Sequence, residues 1–148
     1  MYQEYSNDPF LISTDPAKLQ LPVIHGYLSR ESYWAQNIPE GMVGKAIQNS
    51  LNFGLYKAGV QIGFARIISD LTTFAYLCDV FVLPEFRGQG LSKWLMQCVL
   101  EHPVLQGLRR MMLMTKDAHG LYAQFNFTPL ADASRCMEIA RPTIYKNK

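Results

Sequence analysis

The chain has 148 residues, 49% of them hydrophobic and 18% charged, close to the length of about 100–150 residues most common for a single domain, so one unit spanning residues 1–148 is expected. That composition, with mean hydropathy near zero, excludes a disordered tail protein, a collagen-like repeat and a membrane bundle. Fourteen basic and 12 acidic residues leave a net charge of +2, too little for long-range attraction to nucleic acid or an anionic membrane, so any anionic ligand must be held locally.

In chain order, Met1 to Asp8 has neither the basic start nor the apolar run of a secretory signal. Phe10 to Thr14 is short and apolar, an edge strand that ends at the Asp15-Pro16 turn. Leu21, Ile24, Tyr27 and Leu28 recur at helical spacing and predict a helix from Leu21 to Ser29, with Pro22 accommodated in its first turn. A second helix starts at Pro39-Glu40, where Met42, Val43, Ala46 and Ile47 share one face. From Leu51 the period changes to two. Asn52 to Lys57, the turn Ala58-Gly59, and Gln61 to Ser69 predict a β-hairpin. Thr73 to Leu83 adds a third antiparallel strand; its apolar run to Pro84 is broken by Asp79 and too short to span a bilayer.

Leu91, Trp94, Leu95, Cys98 and Val99 fall on one helical face, and Pro103 stops that helix. Arg110 to Thr115 predicts a buried strand, Ala118 to Phe125 a short helix, and Phe127 to Leu130 and Cys136 to Ala140 two closing strands. The order gives an α/β fold of the α+β kind: a mixed, mostly antiparallel central sheet of six to seven strands flanked by about four helices. Cys78, Cys98 and Cys136 are odd in number and form no C-x-x-C pair, and no H-x-x-x-H or carboxylate cluster appears. No metal is expected, and a reducing cytoplasm is the natural compartment.

The most informative stretch is the passage from Val80 through the Arg87-Gly88-Gln89-Gly90 turn into the helix that begins at Leu91. The first turn of a helix carries N–H groups without intrahelical partners and the positive end of the macrodipole, which suits an anion. Gly88 and Gly90 let an oxyanion reach the backbone, while Arg87, Ser92 and Lys93 can add donors. Read alone, the two glycines equally well make a plain strand-to-helix turn. A P-loop is absent, and Lys93 stands where the dinucleotide fingerprint needs its third glycine.

The run Arg87-Gly88-Gln89-Gly90-Leu91-Ser92 resembles the R/Q-x-x-G-x-G/A signature of the GCN5-related N-acetyltransferase (GNAT) family, with serine at the last position. Asp79 to Phe86 is similar to the family's fourth strand. Thr115 to Phe127 resembles its N-x-x-A-x-x-x-Y…G-F block, with Thr115 for asparagine and Asn126 for glycine. Together the blocks cover roughly residues 73 to 130. The resemblance implies acetyl-CoA as acetyl donor and an amine as acceptor. It implies that strands four and five part near Val80 to Leu83, where Phe81 and Leu83 would offer backbone groups to the pantetheine arm and Arg87 to Lys93 would hold the pyrophosphate. Thr115 falls at a position that contacts the cofactor.

Attack of an amine on a thioester needs a neutral nucleophile, a donor for the oxyanion and an acid for the thiolate; proximity alone can supply about 7–11 kcal/mol. A backbone N–H near Val82 is the candidate oxyanion donor. Tyr122 is either a half-buried aromatic or, by its place in the family block, the acid; an ordinary phenol titrates near about 10 and so carries its proton at neutral pH. Asp79 is open between base, ligand for a substrate ammonium, and structural carboxylate. Tyr33 and Trp34 fall where the family forms its acceptor cleft, and either line it or pack a connecting loop.

These readings converge on a cytoplasmic acetyl-CoA-dependent N-acetyltransferase acting on the primary amine of a small molecule by direct attack in a ternary complex. A protein or peptide N-acetyltransferase and a non-catalytic acyl-CoA sensor are the competing readings. No nucleic-acid or membrane partner is expected, and a homodimer is compatible with the family.

Overall fold

A computed structural model describes residues 1–146. The strands are β1 (Glu4–Asn7), β2 (Phe10–Ser13), β3 (Leu51–Lys57), β4 (Val60–Ser69), β5 (Phe74–Val82) and β6 (Arg110–Leu113). They form one six-stranded sheet in sequential order, antiparallel except for the parallel β5–β6 pair. The helices are α1 (Leu21–Arg30), α2 (Glu40–Gln48), α3 (Leu91–Glu101) and α4 (His119–Ala123). Among the described residues no helix is long and apolar enough to cross a membrane.

Each helix follows from its sequence. Pro22 occupies the first turn of α1, and Ile24, Tyr27 and Leu28 form its buried stripe. In α3, Gly90 caps the start with φ 77°, and Leu91, Leu95, Met96, Cys98 and Val99 are buried. Phe64 of β4 and Phe81 of β5 pack with α1 and α2, whereas their chain neighbours Ala65 and Val82 pack with α3. Adjacent strand residues point to opposite faces, so the helices cover both sides of the sheet. Burying each large apolar side chain contributes roughly 1.5–3 kcal/mol.

Two features of β5 shape the site. Its ladder with β6 runs only from Phe74–Arg110 to Leu77–Leu113, so Cys78 to Val82 continue without that neighbour and the sheet parts. Against β4 the register slips between Arg66–Cys78 and Phe64–Phe81, which leaves Asp79 and Val80 opposite Ala65 alone. Asp79 takes φ 55° in this bulge, a left-handed conformation that Asp adopts more readily than most residues.

Several expectations need correction. β1 is an extra strand: its sequence Glu4-Tyr5-Ser6-Asn7 lacks apolar alternation and is largely exposed. β2 is therefore an interior strand, paired with both β1 and β3, not an edge. Phe127–Leu130 is not a strand, because the Phe127 N–H bonds the Tyr122 carbonyl and wraps the end of α4. Cys136–Ala140 is not one either. The Cys136 N–H closes a turn on the Ala133 carbonyl, and the segment is exposed; local alternation makes a strand only where another strand pairs with it. Helix and strand ends elsewhere move by one or two residues, as the capping turns decide them.

Candidate active site

The strand-to-helix turn builds the first hollow, a cavity of about 280 Å³ lined by Val82, Arg87, Gly88, Gly90, Ser92 and Leu121, among others. Gly88 and Gly90 have φ 83° and 77°, which excludes most side chains; an added Cβ at either would meet nothing within 4 Å, so the space before them is open. Among the described residues, none of the backbone N–H groups from Gly88 to Lys93 has an acceptor within the protein; the first bonded one is Trp94, to Gly90. Six successive donors at the positive end of α3 are thus without a partner among the described residues.

The side chains of the turn are less free. Arg87 donates through Nε to the Val82 carbonyl at 2.9 Å and through Nη2 to the Tyr27 hydroxyl at 3.0 Å, so its guanidinium braces the turn against α1. Gln89 donates to the Phe86 carbonyl. The backbone groups expected from Leu83 are engaged: its N–H bonds Ile62 of β4 and its carbonyl accepts from Phe86. By strand alternation Phe81 faces β4 in the same way, and its ring stacks on Tyr27 at 4.1 Å. Val82 points its N–H to the other side, where β6 has ended. Phe81, Leu83 and Gln89 line neither hollow.

A larger cavity of about 600 Å³ opens on the far side of the parting and brings together Tyr33, Trp34, Asp79, Thr115 and Tyr122. Tyr122 sits on α4, 8% exposed, with its ring edge-on to Phe127. Burial pushes its phenol up to about 12, with Tyr33 and Asp117 adding to the shift, so it keeps its proton at neutral pH. Its hydroxyl bonds no described residue. Leu121 lines the smaller hollow and its neighbour Tyr122 the larger one, as Val82 and Val80 do on β5, so the two hollows lie end to end along the parted strand.

Asp79 is held on both oxygens. Oδ1 accepts from the Trp34 indole at 2.8 Å, and Oδ2 accepts from Arg66 Nε at 2.8 Å, in a pair whose side chains are only 12% and 16% exposed. Arg66 also donates to Ser50 at 3.0 Å. Arg66 was missed at the sequence level; a lone cation in the apolar β4 run, one strand away from a lone carboxylate in β5, is the signal that could have found it. The Tyr33 hydroxyl accepts from the Lys116 N–H at 2.8 Å, and the Lys116 ammonium lies 5.6 Å from the Tyr33 ring. Thr115 accepts through Oγ1 from the Ala118 N–H and so fixes the turn leading into α4. Burial pushes the Cys78 thiol up to about 12 as well, which makes it a poor base or nucleophile. Asn126 takes φ 70°, the conformation that glycine would supply at that position.

An open, mostly antiparallel sheet parted along one strand thus places unpartnered N–H donors on one hollow and a protonated phenol on the other. The chain belongs to the acetyltransferase (GNAT) family, whose model matches residues 18–127. It is 51% identical to a GNAT-family protein of Xanthomonas campestris whose crystal structure superposes with a TM-score of 0.92, covering 93% of this chain and 97% of that one. It is 35% identical over 144 residues to a Gibberella zeae protein named as an acetyltransferase, a match covering 82% of this chain and 80% of that protein. A Clostridium acetobutylicum structure solved with acetyl-CoA shares the fold, with a TM-score of 0.63 at 13% identity, covering 95% of this chain and 96% of that chain.

Proposed function

We propose that the protein moves the acetyl group of acetyl-CoA to the primary amine of a small molecule by direct attack in a ternary complex. The observation that carries this reading is the end-to-end placement of an anion-binding helix start and a protonated Tyr122 along the parted strand. The donor set fits the cofactor: successive backbone N–H groups without partners, beside open space at Gly88 and Gly90, suit a pyrophosphate, and the unpaired length of β5 suits an extended arm. The Clostridium structure, which holds acetyl-CoA, supports the same choice. Acetyl-CoA supplies the thioester, whose acetyl carbon bonds to the amine nitrogen as its carbon–sulfur bond breaks.

In this scheme the Val82 N–H is the donor for negative charge on the carbonyl oxygen, of the kind worth about 3 kcal/mol. Tyr122 holds the proton for the departing sulfur and is restored by the proton that the nitrogen loses, so protons balance. Asp79, with both oxygens engaged, is a positioning residue: it fixes the Trp34 loop and the bulge from which Val80 to Val82 emerge. The test is thiol release from acetyl-CoA across a panel of primary amines and lysine peptides. Release with a small amine supports the reading. CoA binding without turnover of any amine would replace it with an acyl-CoA sensor.

A further inference from the structure

Resting on the larger cavity as the acceptor site, we infer that the acceptor is a single amine carried on an aromatic or branched apolar body, and not a polyamine or a lysine side chain. The charged groups lining that cavity are Arg66, Asp79, Lys116 and Asp117, which cancel. A cavity without net charge gives no electrostatic trap for a polycation. The carboxylate of β5 is already matched by the Arg66 guanidinium on one oxygen and the Trp34 indole on the other, so it carries no uncompensated charge for a substrate ammonium. A substrate ammonium on the same carboxylate would bring a second cation beside the largely buried Arg66 guanidinium, which is unfavourable. At the rim the adjacent Lys116 and Asp117 are both exposed and screened, so neither sign dominates there.

The remaining walls suit an apolar body. Tyr33, Trp34, Ile68 and Met114 are exposed large hydrophobic residues on this one cavity, and grouped apolar surface of this kind marks ligand grooves. Tyr33 and Trp34 meet edge to face at 5.0 Å and offer rings for stacking, while the flexible thioether of Met114 adapts to shape. About 600 Å³ lies in the usual range for one small molecule, roughly 300–1,000 Å³. An apolar lining also disfavours the ammonium form and so favours the neutral nucleophile.

The experiment titrates the full chain calorimetrically, with CoA present, using phenethylamine and spermidine, and measures thiol release from acetyl-CoA with the same two amines and a lysine peptide. Phenethylamine is expected to bind at least about tenfold more tightly than spermidine and to turn over with the higher kcat/KM. Lys116→Glu, at an exposed position on the cavity rim, is expected to raise the ratio of spermidine to phenethylamine affinity several-fold. Equal or tighter spermidine binding, preferred turnover of the peptide, or no binding of phenethylamine overturns the inference. Binding of phenethylamine without thiol release from any amine keeps the ligand class and overturns the acetyl-transfer reading instead.

Discussion

At the start of α3 the groups available to a ligand are backbone N–H donors, contributed by residues adjacent in sequence. In the larger cavity the polar contacts reach far along the chain: the Trp34 indole donates to Asp79 across 45 residues, and the Lys116 backbone N–H to the Tyr33 hydroxyl across 83. The first region therefore depends on a conformation, which two glycines and one helix start specify. The second depends on tertiary packing that brings five segments together. Substitutions should act differently on the two: steeply in the cavity, where each side chain is used once, and mildly on the turn, where several donors share the task.

The largest expected effect is Tyr122→Phe. Loss of the Tyr122 phenol should lower kcat about 100-fold or more, the lower bound for general acid catalysis, with CoA affinity within twofold. Steady-state kinetics and calorimetry measure both. A fall in CoA affinity equal to the fall in kcat would show that the two regions are not separable.

Arg66→Ala removes one member of a half-hidden pair and leaves Asp79 charged beside an apolar strand. The penalty is about 3 kcal/mol, or a drop of roughly 6–12 °C in thermal midpoint for a chain of this size. Asp79→Ala should act similarly, and the double variant should lose less than the sum, because removing both charges abolishes the unpaired one. Additive losses would break the picture of a single coupled network behind the acceptor wall.

Alkaline titration reads the buried cavity against the solvated turn. Burial raises the Cys78 and Cys98 thiols from 9.0 to about 12 and the Tyr122 phenol from 10.0 to about 12. In the unfolded chain these groups release their protons first, so the unfolded state binds fewer protons and stability falls as pH rises. The contribution is fully present below about pH 9 and is lost progressively towards 12. Urea midpoints measured from pH 8 to 11 should decline, and Cys78→Ala should flatten the decline.

These contrasts also explain what could be read from the sequence. The helix faces, the hairpin at Ala58-Gly59 and the Arg87–Ser92 turn are local patterns, so period and glycine spacing sufficed to find them. Tyr122, Asp79, Tyr33 and Trp34 could be nominated one by one, but their meeting in one cavity depends on the bulge at Asp79 and the early end of β6, which no short pattern encodes. β1 escaped notice because its pairing with β2, not its own alternation, makes it a strand. The two closing strands were expected on alternation alone, with nothing to pair them. The family resemblance assigned the backbone groups of Phe81 and Leu83 to the cofactor; which way those groups face is set by the register with β4, which the sequence alone does not display.

The smallest effects test the turn itself. Arg87 looks in sequence like a fork for phosphate, but its Nε and one terminal nitrogen are directed at Val82 and Tyr27. A brace and a fork predict different ligand dependence. If Arg87 braces the turn, Arg87→Ala displaces the strand end and weakens acetyl-CoA and acetyl-pantetheine by similar factors, since Val82 serves both. If it grips phosphate, only the ligand carrying the pyrophosphate loses, by the roughly 1.5–3 kcal/mol of a charge-assisted bond. Tyr27→Phe isolates the brace, because it deletes the hydroxyl and keeps the ring stacked on Phe81. Its expected effect is one net hydrogen bond, about 1 kcal/mol, a loss of about fivefold in affinity for both ligands. A Tyr27→Phe protein indistinguishable from the parent, together with an Arg87→Ala protein impaired only towards acetyl-CoA, would return the guanidinium to the phosphates and leave the backbone donors as its auxiliaries.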